Sequence, residues 1–247
     1  MQEKIWIPTS GGLQLAGRFV APERAGLCPA VLFLHGSGKI DSRSGYHHWQ
    51  DHLRSYGMAS LFFEFRGCGA SQGVFAGSCL SNRLVDAQHA LQFMASQPGV
   101  DAGRIAVVGG SMGGHVAVRL LEAEPRVGAL VLVSAAAYSE EAEGQPLGAP
   151  FSRVIRRPDD WARSPVFKIL QEAGKPVLLV YAEQDAVIPP GVQDAYRRAI
   201  EKQPGSRALQ LEGGGHSLLN PQDEAGQRAM EALFAESAQF LKNHFEI

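Results

Sequence analysis

A chain of 247 residues with 45% hydrophobic and 19% charged side chains is long enough to bury a sizeable core, and one α/β domain of this length is ordinary. Its 23 basic and 25 acidic side chains leave a formal charge of -2, which supplies no field for nucleic acid. Met1 to Ser10 holds no apolar stretch of signal-peptide length, and no run approaches the ~20 apolar residues of a membrane span, so a cytoplasmic protein without a membrane partner is expected.

In chain order, Ile5–Pro8 and Leu13–Val20 flank Ser10-Gly11-Gly12 and read as an antiparallel hairpin. Apolar runs then follow at Val31–Leu34, Ala59–Phe65, Ile105–Val108, Ala129–Val133, Val177–Tyr181 and Ala208–Leu211. Between them lie amphipathic stretches at Tyr46–Tyr56, Asn82–Ala95, His115–Glu122, Val192–Ile200 and Asp223–Asn243. Such alternation predicts a mostly parallel eight-stranded sheet flanked by helices, with the hairpin as its antiparallel opening. The connection from Ser134 to Pro176 exceeds an ordinary crossover, so a small cap is expected at about 140–165, built mainly from Gly144 to Trp161.

The chemistry is concentrated at strand ends, where an open α/β sheet gathers its functional loops. Gly109-Gly110-Ser111-Met112-Gly113 follows the run Ile105–Val108 and precedes a helical stretch, the strand–turn–helix setting of a nucleophile elbow. A serine hydroxyl is a poor nucleophile at neutral pH and requires a base, and the base requires an anion to fix its tautomer. Asp185, beyond Val177–Tyr181, and His216, in Gly213-Gly214-Gly215-His216-Ser217 beyond Ala208–Leu211, supply these groups in the chain order serine, aspartate, histidine. His35-Gly36-Ser37-Gly38 follows Val31–Leu34, and its glycines let backbone N–H groups converge on one point. The expected oxyanion-hole donors are the N–H of Ser37 and the N–H of Met112, with His35 as a brace for the loop.

On these residues, together with Phe65-Arg66-Gly67-Cys68-Gly69-Ala70-Ser71-Gln72-Gly73 after the following strand, the chain resembles the α/β-hydrolase fold superfamily over nearly its whole length. Within it, the hairpin, the small cap and Trp161-Ala162-Arg163-Ser164-Pro165 are similar to feruloyl-esterase-like and dienelactone-hydrolase-like carboxylesterases and to peptidase domains of the prolyl oligopeptidase type. Dienelactone hydrolases proper use cysteine where this chain has Ser111, and no propeller precedes the domain, which lowers the weight of both specialised activities. The resemblance implies a serine hydrolase that cleaves a small-molecule carboxylic ester through Ser111, Asp185 and His216 without a cofactor or metal. Thioesters, peptides and carbon–carbon bonds are alternatives on the same machinery, as is a binding protein that keeps the fold without turnover.

Other groups carry weaker signals. Glu183 shares a loop with Asp185, which could itself cap the next helix, and Glu140 or Glu141 could stand in as the acid. His48 and His52 sit at i, i+4 but lack a third ligand for a metal. Arg153, Arg156 and Arg157 could read a substrate carboxylate or phosphate, though a solvated helix face paired with Asp159 and Asp160 is the expected arrangement. Met112 and Phe151 are candidate walls of an acyl pocket. Cys28, Cys68 and Cys79 lack C-x-x-C spacing and read as free thiols. The oligomeric state is not encoded in any of these patterns.

Overall fold

The computed structural model describes residues 2–23, 26–37 and 43–247. Within them, eight strands form one sheet in the order β1-β2-β4-β3-β5-β6-β7-β8. Strands β1 (Gln2–Pro8) and β2 (Gln14–Val20) pair antiparallel, and β2 pairs antiparallel with β4 (Ala59–Phe63). The remaining pairs, involving β3 (Cys28–Leu34), β5 (Val100–Gly110), β6 (Val127–Val133), β7 (Val177–Ala182) and β8 (Arg207–Leu211), are parallel. The expected mostly parallel sheet with an antiparallel opening is thus the architecture found.

Both faces of the sheet are covered, which is why its central strands are apolar throughout rather than alternating with polar residues. Ala30, Leu32 and Leu34 of β3 point into one core cluster, whereas Val31 and Phe33 point into the other. Helices α1 (Arg43–Ser55) and α8 (Glu224–Phe245) cover the second face through Trp49, Leu53, Leu233 and Leu241. The first face is covered by α2 (Leu80–Ala95), α3 (Met112–Ala123), α6 (Val166–Ala173) and α7 (Pro190–Ile200).

Several elements begin earlier than the sequence expectation, β5 at Val100 rather than Ile105 among them, and the changed bounds of β4 and α3 have identifiable causes. The β4 ladder stops at Phe63 because the Phe65 N–H turns away to the His35 ring, Nε2 accepting at 3.1 Å. Helix α3 starts at Met112 rather than His115, since Gly113 and Gly114 mask a helix by their poor propensity. Their small size has a packing cause: a Cβ on Gly113 would run into the Leu34 carbonyl, and one on Gly114 would lie 2.6 Å from the Ala135 Cβ.

The segment after β6 contains α4 (Glu140–Glu143), α5 (Ala149–Ile155) and a 3-10 turn at Asp160–Arg163 before α6. It is tied to the body by the Leu147 N–H, which donates to the Ser78 carbonyl at 2.7 Å, and by Glu143, which pairs with His115 and Arg119 of α3. His115 is buried; its Nδ1 accepts from the Tyr138 N–H, so its Nε2 carries the proton donated to Glu143 at 2.9 Å. The expected pairing of the arginine cluster with Asp159 and Asp160 does not form. Arg157 pairs with Glu141, while buried Asp160 accepts from Ser139 and pairs with Arg163. Asp160 is drawn inward because it satisfies the start of α4, and Arg153 and Arg156 lie exposed.

Candidate active site

Ser111 sits at the junction of β5 and α3 with φ 51 and ψ -119, a backbone region that side-chain-bearing residues avoid at a cost of about 1–3 kcal/mol. The contorted turn is held by neighbours at the end of β6. The Ser111 N–H donates to the Val133 carbonyl at 2.9 Å, and the Ser111 carbonyl accepts from the Gly114 and Ala136 N–H groups, each at 3.0 Å. This conformation lifts the hydroxyl above the carboxyl edge of the sheet, and Gly109 allows α3 to pack directly behind it, since a Cβ there would crowd Ala117 at 2.8 Å.

His216 reaches this hydroxyl from the loop after β8. Its Nε2 lies 3.0 Å from the Ser111 Oγ, and its Nδ1 lies 3.0 and 3.1 Å from the two Asp185 oxygens. An ionised carboxylate only accepts, so Nδ1 holds the proton and Nε2 is left as an acceptor facing the serine. Gly213 and Gly214, at φ 69 and 68, let the loop fold back to deliver the ring.

Asp185 has no exposed side-chain surface. Burial opposes its ionisation, but bonds from His216 and from the Ile188 and Val187 N–H groups more than compensate and hold its carboxyl at about 2. The buried Ser134 hydroxyl contributes to the same lowering. Asp185 closes a local turn rather than capping a helix, because α7 begins at Pro190 with Pro189 as its cap residue. Glu183 instead faces the Gly213 N–H at 3.3 Å, and Glu141 faces Arg157.

The loop after β3 runs against the serine. A Cβ on Gly36 would sit 3.1 Å from the Ser111 Cβ and 3.7 Å from its Oγ. His35 is buried, its Nδ1–H donating to the Gly36 carbonyl at 2.9 Å, and burial, with Arg83 nearby, lowers its pKa to about 3. It is a neutral brace, as its place in the sequence suggests. Gly38 lies outside the described residues. Met112 opens α3, where the first N–H groups of a helix have no partner within it.

These groups border a cavity of about 580 Å³. Ser37, Ser111, Met112 and His216 are among the residues that line it, and Tyr138, Leu147, Phe151, Ile155, Val187 and Leu218 add apolar surface. Sequence reasoning singled out Met112 and Phe151 but missed Tyr46, which lines the cavity from α1, and Arg83, whose Nη1 donates to the Gly36 carbonyl at 2.8 Å. Among the described residues no cluster of three or more His, Cys, Asp or Glu is placed to hold a metal, and no helix is long and apolar enough to cross a membrane.

A family model described as "Serine aminopeptidase, S33" matches residues 27–158, more than half of the chain. The chain belongs to this family. It is an α/β-hydrolase fold serine hydrolase, and a second family model, "TAP-like protein", matches residues 152–239 of the same hydrolase. Two relatives are 27% identical to it. One is the alpha/beta hydrolase domain-containing protein WAV2 of Arabidopsis thaliana, over 87% of this chain and 72% of that one. The other is an uncharacterized protein of Mycobacterium tuberculosis, over 92% of this chain and 76% of that one. Among solved structures, Est1E from Butyrivibrio proteoclasticus with ferulic acid bound is 22% identical at a TM-score of 0.75, covering 96% of this chain and 99% of that one. An esterase of Pyrococcus furiosus is 21% identical at a TM-score of 0.72, covering 98% and 91%. At these identities the structural likeness shows the fold.

Proposed function

We propose that this hydrolase cleaves carboxylic esters of uncharged, apolar or aromatic acids through an acyl-enzyme on Ser111. The observation that carries the reading is the continuous chain from Asp185 through His216 to the Ser111 Oγ, with both links at 3.0 Å. In the first half-reaction the Ser111 Oγ attacks the ester carbonyl carbon as His216 Nε2 takes its proton. The tetrahedral oxyanion is held by the N–H groups of Ser37 and Met112, each such donor being worth roughly 2.7–4 kcal/mol in a dry site. Collapse expels the alcohol, which takes the proton from His216. In the second half-reaction water, deprotonated by His216, attacks the acyl carbon through the same hole; collapse breaks the bond to the Ser111 Oγ, which takes the proton back from His216, and releases the acid. Asp185 holds the imidazole in the required tautomer and stabilises the imidazolium.

The apolar walls support the acyl preference. Phe151 and Ile155 come from the segment at about 140–165, which we propose acts as a small cap over the elbow within a single domain. The family description raises peptides with a free N-terminus as a second reading. Among the described residues lining the cavity none is aspartate or glutamate, the partner that a terminal ammonium would seek.

The test is reaction of the purified protein with a fluorophosphonate probe, with short and aromatic p-nitrophenyl esters, and with aminoacyl p-nitroanilides. Label on Ser111 by peptide mass spectrometry, with ester turnover above anilide turnover, is the expected result. Absence of both label and ester turnover overturns it in favour of a binding role, and anilide turnover above ester turnover favours the peptidase.

A further inference from the structure

The N–H of Ser37 and the carbonyl of Gly36 belong to one peptide unit. That unit is planar and trans, so its N–H and its C=O point in opposite directions. Whatever grips the Gly36 oxygen therefore aims the Ser37 N–H. Two side chains grip it. The His35 Nδ1–H donates at 2.9 Å, its proton placed there because Nε2 accepts from the Phe65 N–H, and the Arg83 Nη1 donates at 2.8 Å.

Arg83 is an unusual donor for this task. It lies on α2 and is only 1% exposed, its guanidinium stacked over the Phe65 ring at 4.6 Å with Nη2 facing the Cys68 Sγ at 3.7 Å. Taking a guanidinium out of water is expensive, and a methionine would fill the same space without that cost. Neighbouring Asp86, fully buried one turn further on, is engaged by the side chain and backbone N–H of Arg66. The Phe65 ring fixes the plane of the Arg83 fork, and the fork meets the back of the loop that touches Ser111. A charged donor also polarises the peptide, which strengthens the N–H at its far end.

We propose that Arg83 is a positioning residue for catalysis: by clamping the Gly36 carbonyl together with His35, it presets the Ser37 N–H toward the oxyanion before substrate arrives. This rests on the reading of Ser37 as an oxyanion donor. The assignment of the chain as a serine hydrolase does not depend on it.

The experiment compares Arg83→Met, Arg83→Lys and Arg83→Gln with the wild type by thermal melting, by kcat and KM on a p-nitrophenyl ester, and by the rate at which a fluorophosphonate labels Ser111. Labelling generates a tetrahedral phosphonate whose oxygen occupies the hole, so it reads the clamp even if the ester assignment fails. With the Met variant, which lacks a donor, kcat and the labelling rate should fall about 10- to 100-fold, while the Lys and Gln variants should lose roughly 3- to 10-fold, with KM within about twofold throughout. A folded Met variant that labels at the wild-type rate overturns the proposal. If Met does not fold, the Lys and Gln variants decide: unchanged rates, or a loss confined to KM, overturn it, and a loss in kcat and labelling supports it.

Discussion

Gly36 and Ser111 lie so close that a methyl group added to the glycine would stand 3.1 Å from the serine Cβ and 3.5 Å from the Gly110 carbonyl. The contact is tight enough that a side chain must push the loop or the serine by a few tenths of an ångström. Gly36→Ala should therefore leave the melting temperature within a few degrees but lower kcat by roughly tenfold or more, because misplacement of this size at a reacting group is costly. Steady-state kinetics beside a thermal melt checks this, and an alanine variant with wild-type kcat would show that the loop has slack.

Asp185 offers a sharper separation of orientation from charge. Asparagine can occupy the same space, but its amide would donate to His216 Nδ1 and force the proton onto Nε2, removing the acceptor that faces Ser111. Asp185→Asn should lower kcat by about 10⁴-fold in the manner of a wrong-tautomer triad. Ser111→Ala should abolish turnover, and both proteins should show an unaltered circular dichroism spectrum.

Burial of neutral histidines sets the acid side of the stability profile. Burial, with Arg83 and Arg43 adding repulsion, depresses His35 from 6.5 to about 3, and burial lowers His115 in the same direction against the pull of Glu143. Between about pH 6.5 and 3 the unfolded chain binds a proton at His35 and the native state does not, and His115 acts in the same direction, so the stability they provide is complete above the unfolded value and shrinks as pH falls. His35 contributes a slope of up to about 1.4 kcal/mol per pH unit in that window. Urea unfolding at pH 7.5, 6 and 5 should show midpoints falling with pH. His35→Gln, whose amide can both accept from Phe65 N–H and donate to the Gly36 carbonyl, should make that fall shallower.

The contrast between what the sequence disclosed and what it hid follows from how far each signal travels along the chain. The meeting of Ser111, Asp185 and His216 was legible because a nucleophile, a base and an orienting acid are particular residue types expected at strand ends, and apolar runs such as Val177–Tyr181 mark where strands end. The sheet was legible for the same reason. Arg83 was not: it lies on the stripe Leu80, Arg83, Ala87, Leu91 and Met94 that α2 buries, where a charge looks like a break in the pattern. Its meaning comes from Gly36, 47 positions earlier, and no local period connects them. The arginines near α5 were misassigned to Asp159 and Asp160 because proximity in sequence favoured that pairing, whereas burial of Asp160 beneath Ser139 removed it from the surface. A charged residue on a buried helical stripe was the one available sign of a hidden partner.

The apolar wall contributed by α5 makes a final prediction about specificity. Ile155 is half-buried at the cavity edge, so its truncation removes wall surface without opening the core. Phe151, by contrast, is 5% exposed and packs edge-on against Tyr138 at 5.1 Å, so its removal would mix stability with binding. Losing three carbons from a wall that an acyl chain covers only in part costs about 1 kcal/mol of contact, from the ~25 cal/mol per Å² of apolar surface. Ile155→Ala should accordingly raise KM for aromatic or medium-chain p-nitrophenyl esters about three- to tenfold while leaving kcat, and both constants for the acetate ester, near wild type. If acetate and the larger esters respond alike, the acyl group does not lie along α5, and the acyl and alcohol sides of the cavity must be exchanged.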